Sequence, residues 1–333
     1  MNVLIRGVAA AALALAATAP TAPASAEGKI ALVEQFGSLY LPLHVIRDQG
    51  LVEKHGKAAG IDIKVEWRQL SGGAAINDAL LSGSIDVASA GIGPFLTLWD
   101  RTNGAVKIIG ALGAQPNFFL TNNPDIKSLK DIQPQHKIAT PAAIVSVQAR
   151  TLQIAAEKEF GVGNHNRLDK NVVSLPHPDA TAALLSASTE IVAHISNPPF
   201  QDQALKNPKI RKVWSSYDVV GGQLTPTHVY TTLKFREANP KTYKAFVDAF
   251  NEATAWIDAN KKAAAETFVR VTKSKLSPEF ILAGLEDKDV RITTAPSRTF
   301  VFAEFMHRTG AIKRKAASWK DYTFEELHSK PGS

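Results

Sequence analysis

The sequence predicts an α/β protein of two lobes, each a mainly parallel sheet flanked by helices, with the second lobe inserted into the first. Three observations predict it. Short apolar runs alternate with helical stretches, the pattern of βα units in a parallel sheet. That pattern stops after residue 112 and restarts near residue 136. The chain has 333 residues, 45% hydrophobic and 21% charged, which suits about two domains with buried cores.

The first run, 29–33, places Ile30, Ala31, Leu32 and Val33 in succession, as a strand buried on both faces requires. Residues 39–54 read as one helix, with Pro42 tolerated only near its first turn. Residues 61–67 alternate apolar and polar, a strand signature. Ser71-Gly72-Gly73 opens a helix over 74–81, which Ser82-Gly83 ends. Residues 86–90 form a third strand, Gly91-Ile92-Gly93-Pro94 turns into a helix reaching residue 100, and 106–112 form a fourth strand.

The second block carries strands at 136–140, 171–175 and 190–195, with helices at 142–160, closed by Gly161, and at 179–186. Past Gly221-Gly222, residues 228–233 form a further strand, and helices follow at 240–260, 261–271, 277–285 and 297–309. Over 240–260, Tyr243, Phe246, Val247, Phe250, Ala253, Trp256 and Ile257 recur at the spacing of one helical face. Lobe one is therefore expected from 27–114 and 221–333, and lobe two from 115–220. The hinge is expected in two crossing segments, 114–117 and 217–222.

Ahead of this, Arg6 precedes an Ala/Leu run over 8–19, Pro20 and Pro23 break it, and Ala24-Ser25-Ala26 offers a small-residue cleavage site. Residues 1–26 read as a signal peptide, too short for a membrane span, and export to a Gram-negative-type periplasm is the expectation. The chain has no cysteine, which excludes disulfides and thiolate chemistry. Its net charge of +7 is dispersed, with Lys313-Arg314-Lys315 the one tight cluster. A nucleic-acid partner needs a concentrated basic stripe, so none is expected. Mild positive charge would help steer an anionic ligand.

Three strand-to-helix turns stand out: 69–73, 89–94 and 140–142. In a parallel sheet such turns lie at the carboxyl edge of the strands, where ligands bind. Each opens a helix whose first N–H groups are unpaired and carry partial positive charge. Glycine there would let a ligand approach the backbone, holding a carboxylate, sulfonate or nitrate without a charged side chain. The same glycines serve equally as plain turn geometry. Glu34 to Ser38 follow the first strand at the same edge, with Gln35 an amide contact and Phe36 either an aromatic wall or core filler. His194 and Asn197 end a lobe-two strand in the same manner, as cleft residues or as structural ones.

Enzymatic constellations are poor. There is no phosphate loop, no helical His-Glu-x-x-His and no Gly-x-Ser-x-Gly elbow. His177, His194 and His228 lack metal spacing. No catalytic residue, metal or cofactor is expected.

Gly37-Ser38-Leu39, the stretch "QGLVEKHGKAAGIDIKVEWRQLSGG" at 49–73 and "LLSGSIDVASAGIGP" at 80–94 resemble the binding proteins of nitrate/sulfonate/taurine-type ABC importers. "PHPDATAALLSASTEIVAHISNPPFQDQA" at 176–204 and "NPKTYKAFVDAFNEATAWIDANKKAAAE" at 239–266 continue the resemblance. It implies a type II periplasmic-binding fold whose lobes close on a small solute, and a monomer that delivers it to an inner-membrane permease without entering the membrane itself. Carried over by position, the ligand contacts are Gln35, Phe36, Gly37, Ser71, Gly72, Gly73, Ser89, Gly91 and Ile92. In lobe two they are Thr140, Ala142, Ala143, Ser146 and Gln148. The sequence departs from the sulfonate pattern at Ala143-Ile144, where Gly-Ser is usual, at Ile92, where an acid is usual, and at Asn197-Pro198-Pro199, where Trp-Asp-Pro is usual. These departures count against nitrate or an alkanesulfonate and admit a ligand with an apolar or aromatic body; the expected solute is small, either anionic or an aromatic or other organic acid, and sulfonate-like. The rival within the same superfamily is a protein that binds or makes thiamine-pyrimidine precursors.

Overall fold

A computed structural model describes residues 27–187 and 190–333. The expected signal peptide, 1–26, lies outside the described residues. The first block comprises β1 (Lys29–Glu34), α1 (Leu41–Gln49), α2 (Leu51–Ala58), β2 (Lys64–Gln69), α3 (Gly73–Leu81), β3 (Val87–Gly91), α4 (Ile92–Arg101) and β4 (Val106–Ala111). The second comprises β5 (Phe118–Thr121), β6 (Lys137–Thr140), α5 (Val147–Phe160), β7 (Val172–Ser174), α6 (His177–Ser186), β8 (Ile191–Ser196), α7 (Phe200–Leu205), β9 (Arg211–Ser215) and α8 (Ser216–Val220). The chain then returns with β10 (Thr227–Thr232), α9 (Leu233–Ala238), α10 (Pro240–Ala259), α11 (Lys261–Thr272), α12 (Pro278–Leu285) and α13 (Phe300–Arg308).

Two five-stranded sheets result, ordered β2-β1-β3-β10-β4 and β7-β6-β8-β5-β9. Within each, one strand runs against the rest: β10 is antiparallel to β3 and β4, and β5 to β8 and β9. These are the two strands that arrive from the other lobe. Strands of a βα unit end at the crevice between the sheets, so a chain crossing that crevice enters the next sheet at the same edge and must run away from it. The crossings are held side by side. Asn117 N–H donates to Ser216 Oγ at 2.9 Å, and Ser216 N–H to the Asn117 carbonyl at 2.8 Å.

Period-two alternation sorts the first sheet's side chains onto two faces. Ile30, Leu32, Val87 and Val229 face α10, α1 and α2, while Ala31, Val33, Ala88, Ala90 and Tyr230 join Phe95, Leu96 and Trp99 of α4. On α10, Phe246, Phe250, Ala253 and Ile257 are fully buried, as the helical spacing predicts. The Phe246, Phe250 and Ile257 side chains each contribute roughly 1.5–3 kcal/mol relative to exposure.

The helix expected over 39–54 is interrupted. Gly50 adopts a left-handed conformation (φ 59°), its N–H capping α1 on the Ile46 carbonyl, and α2 restarts behind it. The helix expected from residue 142 begins only at Val147, because the Ser146 hydroxyl accepts the Ala149 N–H and fixes the start there. Strands β5 and β9 and helix α7 are short and were not expected.

A rim contact joins the lobes at α7 and α12, away from the crevice. Lys206, just past α7, sits 4.1 Å over the Phe280 ring of α12. Asp202 on α7 lies against Gly284 and near Asp287, both in lobe one. Burial, then the Asp287 charge, pushes the Asp202 carboxyl up from 3.8 to about 6. A raised folded-state pKa means stability present below the unfolded value and lost as pH climbs through the folded one. Asp202→Asn should therefore raise urea stability at pH 7.5 by about 1–2 kcal/mol and change it little at pH 4. An equal gain at both pH values in denaturation curves would show that the carboxyl is not responsible.

Candidate functional site

Turns from both sheets meet at one crevice, and the lobes touch across it. Ser38 N–H donates to the Pro198 carbonyl at 3.0 Å, and Asn197 Nδ2 to the Phe36 carbonyl at 3.4 Å. Between them lies a narrow cavity of about 30 Å³, lined by Gln35, Phe36, Tyr40, Ser71, Gly73, Gly91, Pro94 and Thr227 of lobe one and by Pro141, Ser146, Val147, Gln148, His177 and Asn197 of lobe two. With the lobes in contact, that leaves room for only a very small guest.

Helices α3, α4, α5 and α6 all begin at this space. The first turns of α3, α4 and α6 have no side-chain cap, whereas Ser146 caps α5. The Ile92 N–H at the start of α4 donates to the Pro226 carbonyl at 3.0 Å, and first-turn N–H groups without such a partner need water or a ligand. On the lobe-one wall Gln35 is committed within its own lobe: its Oε1 accepts the Gly72 N–H at 3.0 Å and its Nε2 donates to the Ser89 carbonyl at 3.2 Å. The Tyr40 hydroxyl is hydrogen-bonded to Thr227 and Gln35, and burial raises its pKa well above the usual phenol range.

On the lobe-two wall a hydrogen-bonded chain runs inward. Gln148 Nε2 lies 3.3 Å from His177 Nε2, and His177 Nδ1 lies 2.9 Å from His194 Nε2. The amide nitrogen can only donate, so His177 Nε2 accepts, His177 Nδ1–H donates, and the proton on His194 Nδ1 ends the chain. That last atom is buried without a partner. Burial holds the His177 pKa down at about 3, and burial with the neighbouring imidazole holds His194 well below the ordinary range. Both rings are uncharged at neutral pH. Among the described residues, no Lys, Arg, Asp or Glu lines the space.

Of the residues singled out from sequence, Gln35, Phe36, Ser71, Gly73, Gly91, Ser146, Gln148 and Asn197 share this wall. The others lie elsewhere. Ile92 is fully buried in the core, and Ser89 Oγ is spent on the Val33 carbonyl at 2.5 Å. His194 stands behind His177, a second layer and not a wall. Gly37 and Gly72 face the other lobe: a Cβ on them would meet Asn197 Nδ2 at 2.7 Å and the Pro141 carbonyl at 3.1 Å. Ala142 packs under Gly72, Thr140 Oγ1 is buried without a partner, and the Ala143 N–H donates to Ser174 Oγ at 2.8 Å.

Tyr40, Pro94, Pro141, Val147, His177 and Thr227 were not expected on the wall. His177 carried a signal, since Pro176-His177-Pro178 is another strand-to-helix turn. Thr227 carried none: it starts a strand, and only the crossing topology brings a strand's first residue to the edge where the others end.

Residues 29–272 match the model of the NMT1-like family. No curated protein matches the sequence significantly. Among solved structures the chain is similar to the periplasmic nitrate-binding protein NrtA from Synechocystis PCC 6803, at TM-score 0.70 and 16% identity over 91% of this chain and 88% of that one. It is similar to the alkanesulfonate-binding protein SsuA from Xanthomonas axonopodis pv. citri bound to MOPS, at TM-score 0.68 and 16% identity over 87% and 96%. The Escherichia coli aliphatic sulphonate binding protein SsuA gives TM-score 0.65 and 17% identity over 92% and 100%. The fold is thus the two-lobed periplasmic-binding-protein fold. These neighbours are binding proteins, not enzymes, and among the described residues no helix is long and apolar enough to cross a membrane.

His44, His177, His194 and His228 are all buried with pKa values pushed down by burial. In the unfolded chain each takes up a proton near pH 6.5. Their contribution is complete above that value and is lost as pH falls below it, at about 1.4 kcal/mol per pH unit for each ring. Urea midpoints should drop steeply from pH 6.5 to 4.5, and His228→Gln should lower that slope by one proton. An unchanged slope would mean that His228 is charged in the folded protein.

Proposed function

The chain belongs to the NMT1-like family, and from that premise we propose that it is the periplasmic solute-binding component of an ABC importer. It captures a small solute between its lobes and presents the closed form to an inner-membrane permease. The observation that carries this reading is the shared cavity, walled by helix starts and loop ends of two sheets that touch across it. Three periplasmic binding components of the same fold support it, as does the signal peptide expected at 1–26.

Closure requires the solute to favour the closed state, so it must touch both lobes. Ser71 and the helix starts at Gly73 and Gly91 offer contacts from one side, and Ser146, Gln148, His177 and Asn197 from the other. A histidine held neutral down to about pH 3 is a poor general base at pH 7, which supports binding without chemistry. The purified mature chain should be stabilised by its solute in proportion to concentration, with the solute recovered unchanged. Turnover of the solute would replace this reading with an enzymatic one.

Gly93 separates closure from folding. A Cβ there would lie 2.5 Å from the Val145 carbonyl and 3.0 Å from Arg150 Cγ, both in lobe two. With the lobes apart, the same Cβ would simply improve helix α4 by about 0.5 kcal/mol. Gly93→Ala should therefore raise the Tm of the solute-free protein slightly while weakening solute binding at least tenfold. A loss of Tm as well would show that the lobes stay in contact without solute.

A further inference from the structure

The solute-capture reading leaves open which chemistry the cavity selects, and one atom constrains it. Asn197 follows β8 on the cavity wall and is 3% exposed. Its Nδ2 donates to the Phe36 carbonyl at 3.4 Å. A carbonyl only accepts, which fixes the amide's orientation and leaves Oδ1 as the free end. That oxygen is buried and has no hydrogen-bond partner. A buried acceptor is tolerated poorly unless a donor reaches it.

The surrounding groups do not supply one. Gln35 is held within lobe one, and the Tyr40 hydroxyl is engaged with Thr227 and Gln35. Ser146 caps α5, its Oγ accepting the Ala149 N–H at 3.1 Å, and its hydroxyl does not reach Asn197 Oδ1. Gln148 is turned towards His177. Resting on the solute-capture reading, we propose that the bound solute carries an N–H or O–H donor directed at Asn197 Oδ1, and that oxyanions with acceptors alone are rejected. Nitrate or a simple sulfonate would set oxygen against oxygen there, with no cationic side chain on the wall to offset the repulsion. A site built around a hydrogen bond discriminates strongly against an analogue that lacks the matching group.

Near-isosteric pairs test this on the natively exported chain after its solute is removed: urea against nitrate, methanesulfonamide against methanesulfonate, and glycolate against acetate, the last at constant charge. The donor-bearing member of at least one pair should raise Tm in a saturable way while its partner does not. Asn197→Ala should weaken that binding about tenfold or more without lowering the Tm of the solute-free protein. A larger rise with any of nitrate, methanesulfonate or acetate would overturn the proposal. If no probe binds, the solute released by denaturing the exported protein decides by mass spectrometry: a molecule with an N–H or O–H at neutral pH supports the proposal, and one without overturns it. No released solute together with no shift by any probe would instead sink the solute-capture reading itself.

Discussion

The paired crossings at Asn117 and Ser216 are the constraint on which the rest depends. Two reciprocal hydrogen bonds, at 2.9 and 2.8 Å, lock the outgoing and returning chains together in a buried seam. Because β4 and β9 deliver the chain to that seam, the carboxyl edges of both sheets must face it. Each strand that leaves the seam, β5 and β10, is then antiparallel within its sheet. The convergence of four helix starts follows from the same geometry, since every βα unit in either lobe turns at the edge facing the seam. The site is thus a consequence of chain routing before any side chain is chosen.

What the side chains add is polarity without charge. Isolated charges are expensive to bury, and in a crevice that closes, any fixed charge would have to be desolvated with each closure. The wall avoids this. Its one ionisable imidazole, His177, is kept neutral by burial and is oriented between Gln148 and His194. Among the described residues, the charged pair that joins the lobes, the bidentate Arg308 and Glu157, is placed outside, where Arg308 stays half exposed. Closure energy can then come from many modest donors and acceptors that the solute must satisfy together, which gives selectivity more than raw affinity.

Much of this was legible in the sequence where local physics decides. The apolar run at β1, the stripe on α10 and the strand-to-helix turns at Ser71, Gly91 and Thr140 each carry a periodicity or a turn residue that survives into the fold. Residues whose role depends on chain routing were not. Thr227 reaches the wall because its strand begins at the seam, and β5 has only four residues between Asn117 and Asn122 to announce itself. Ile92 shows the opposite failure. It occupies the right turn, but the first residue of α4 points into the core and leaves the edge to Gly91 and Pro94. Sequence position locates an edge; it does not say which side of it a side chain takes.

The glycines illustrate why that distinction matters for mechanism. From sequence, Gly72, Gly91 and Gly93 suggest that a ligand comes close to the backbone. In the structure it is the opposite lobe that comes close, through the Pro141 carbonyl, Val147 and the Val145 carbonyl respectively. Only Gly72 of the three has a left-handed backbone, at φ 87°, so at the other two the missing side chain serves clearance alone. At Gly72 and Gly93 backbone meets backbone, which demands a closer fit than a mobile solute does, because no side-chain bond can rotate to relieve it. The geometry of the closed state is therefore set by the fit of one lobe on the other, and the solute's task is to stabilise that state, not to shape it.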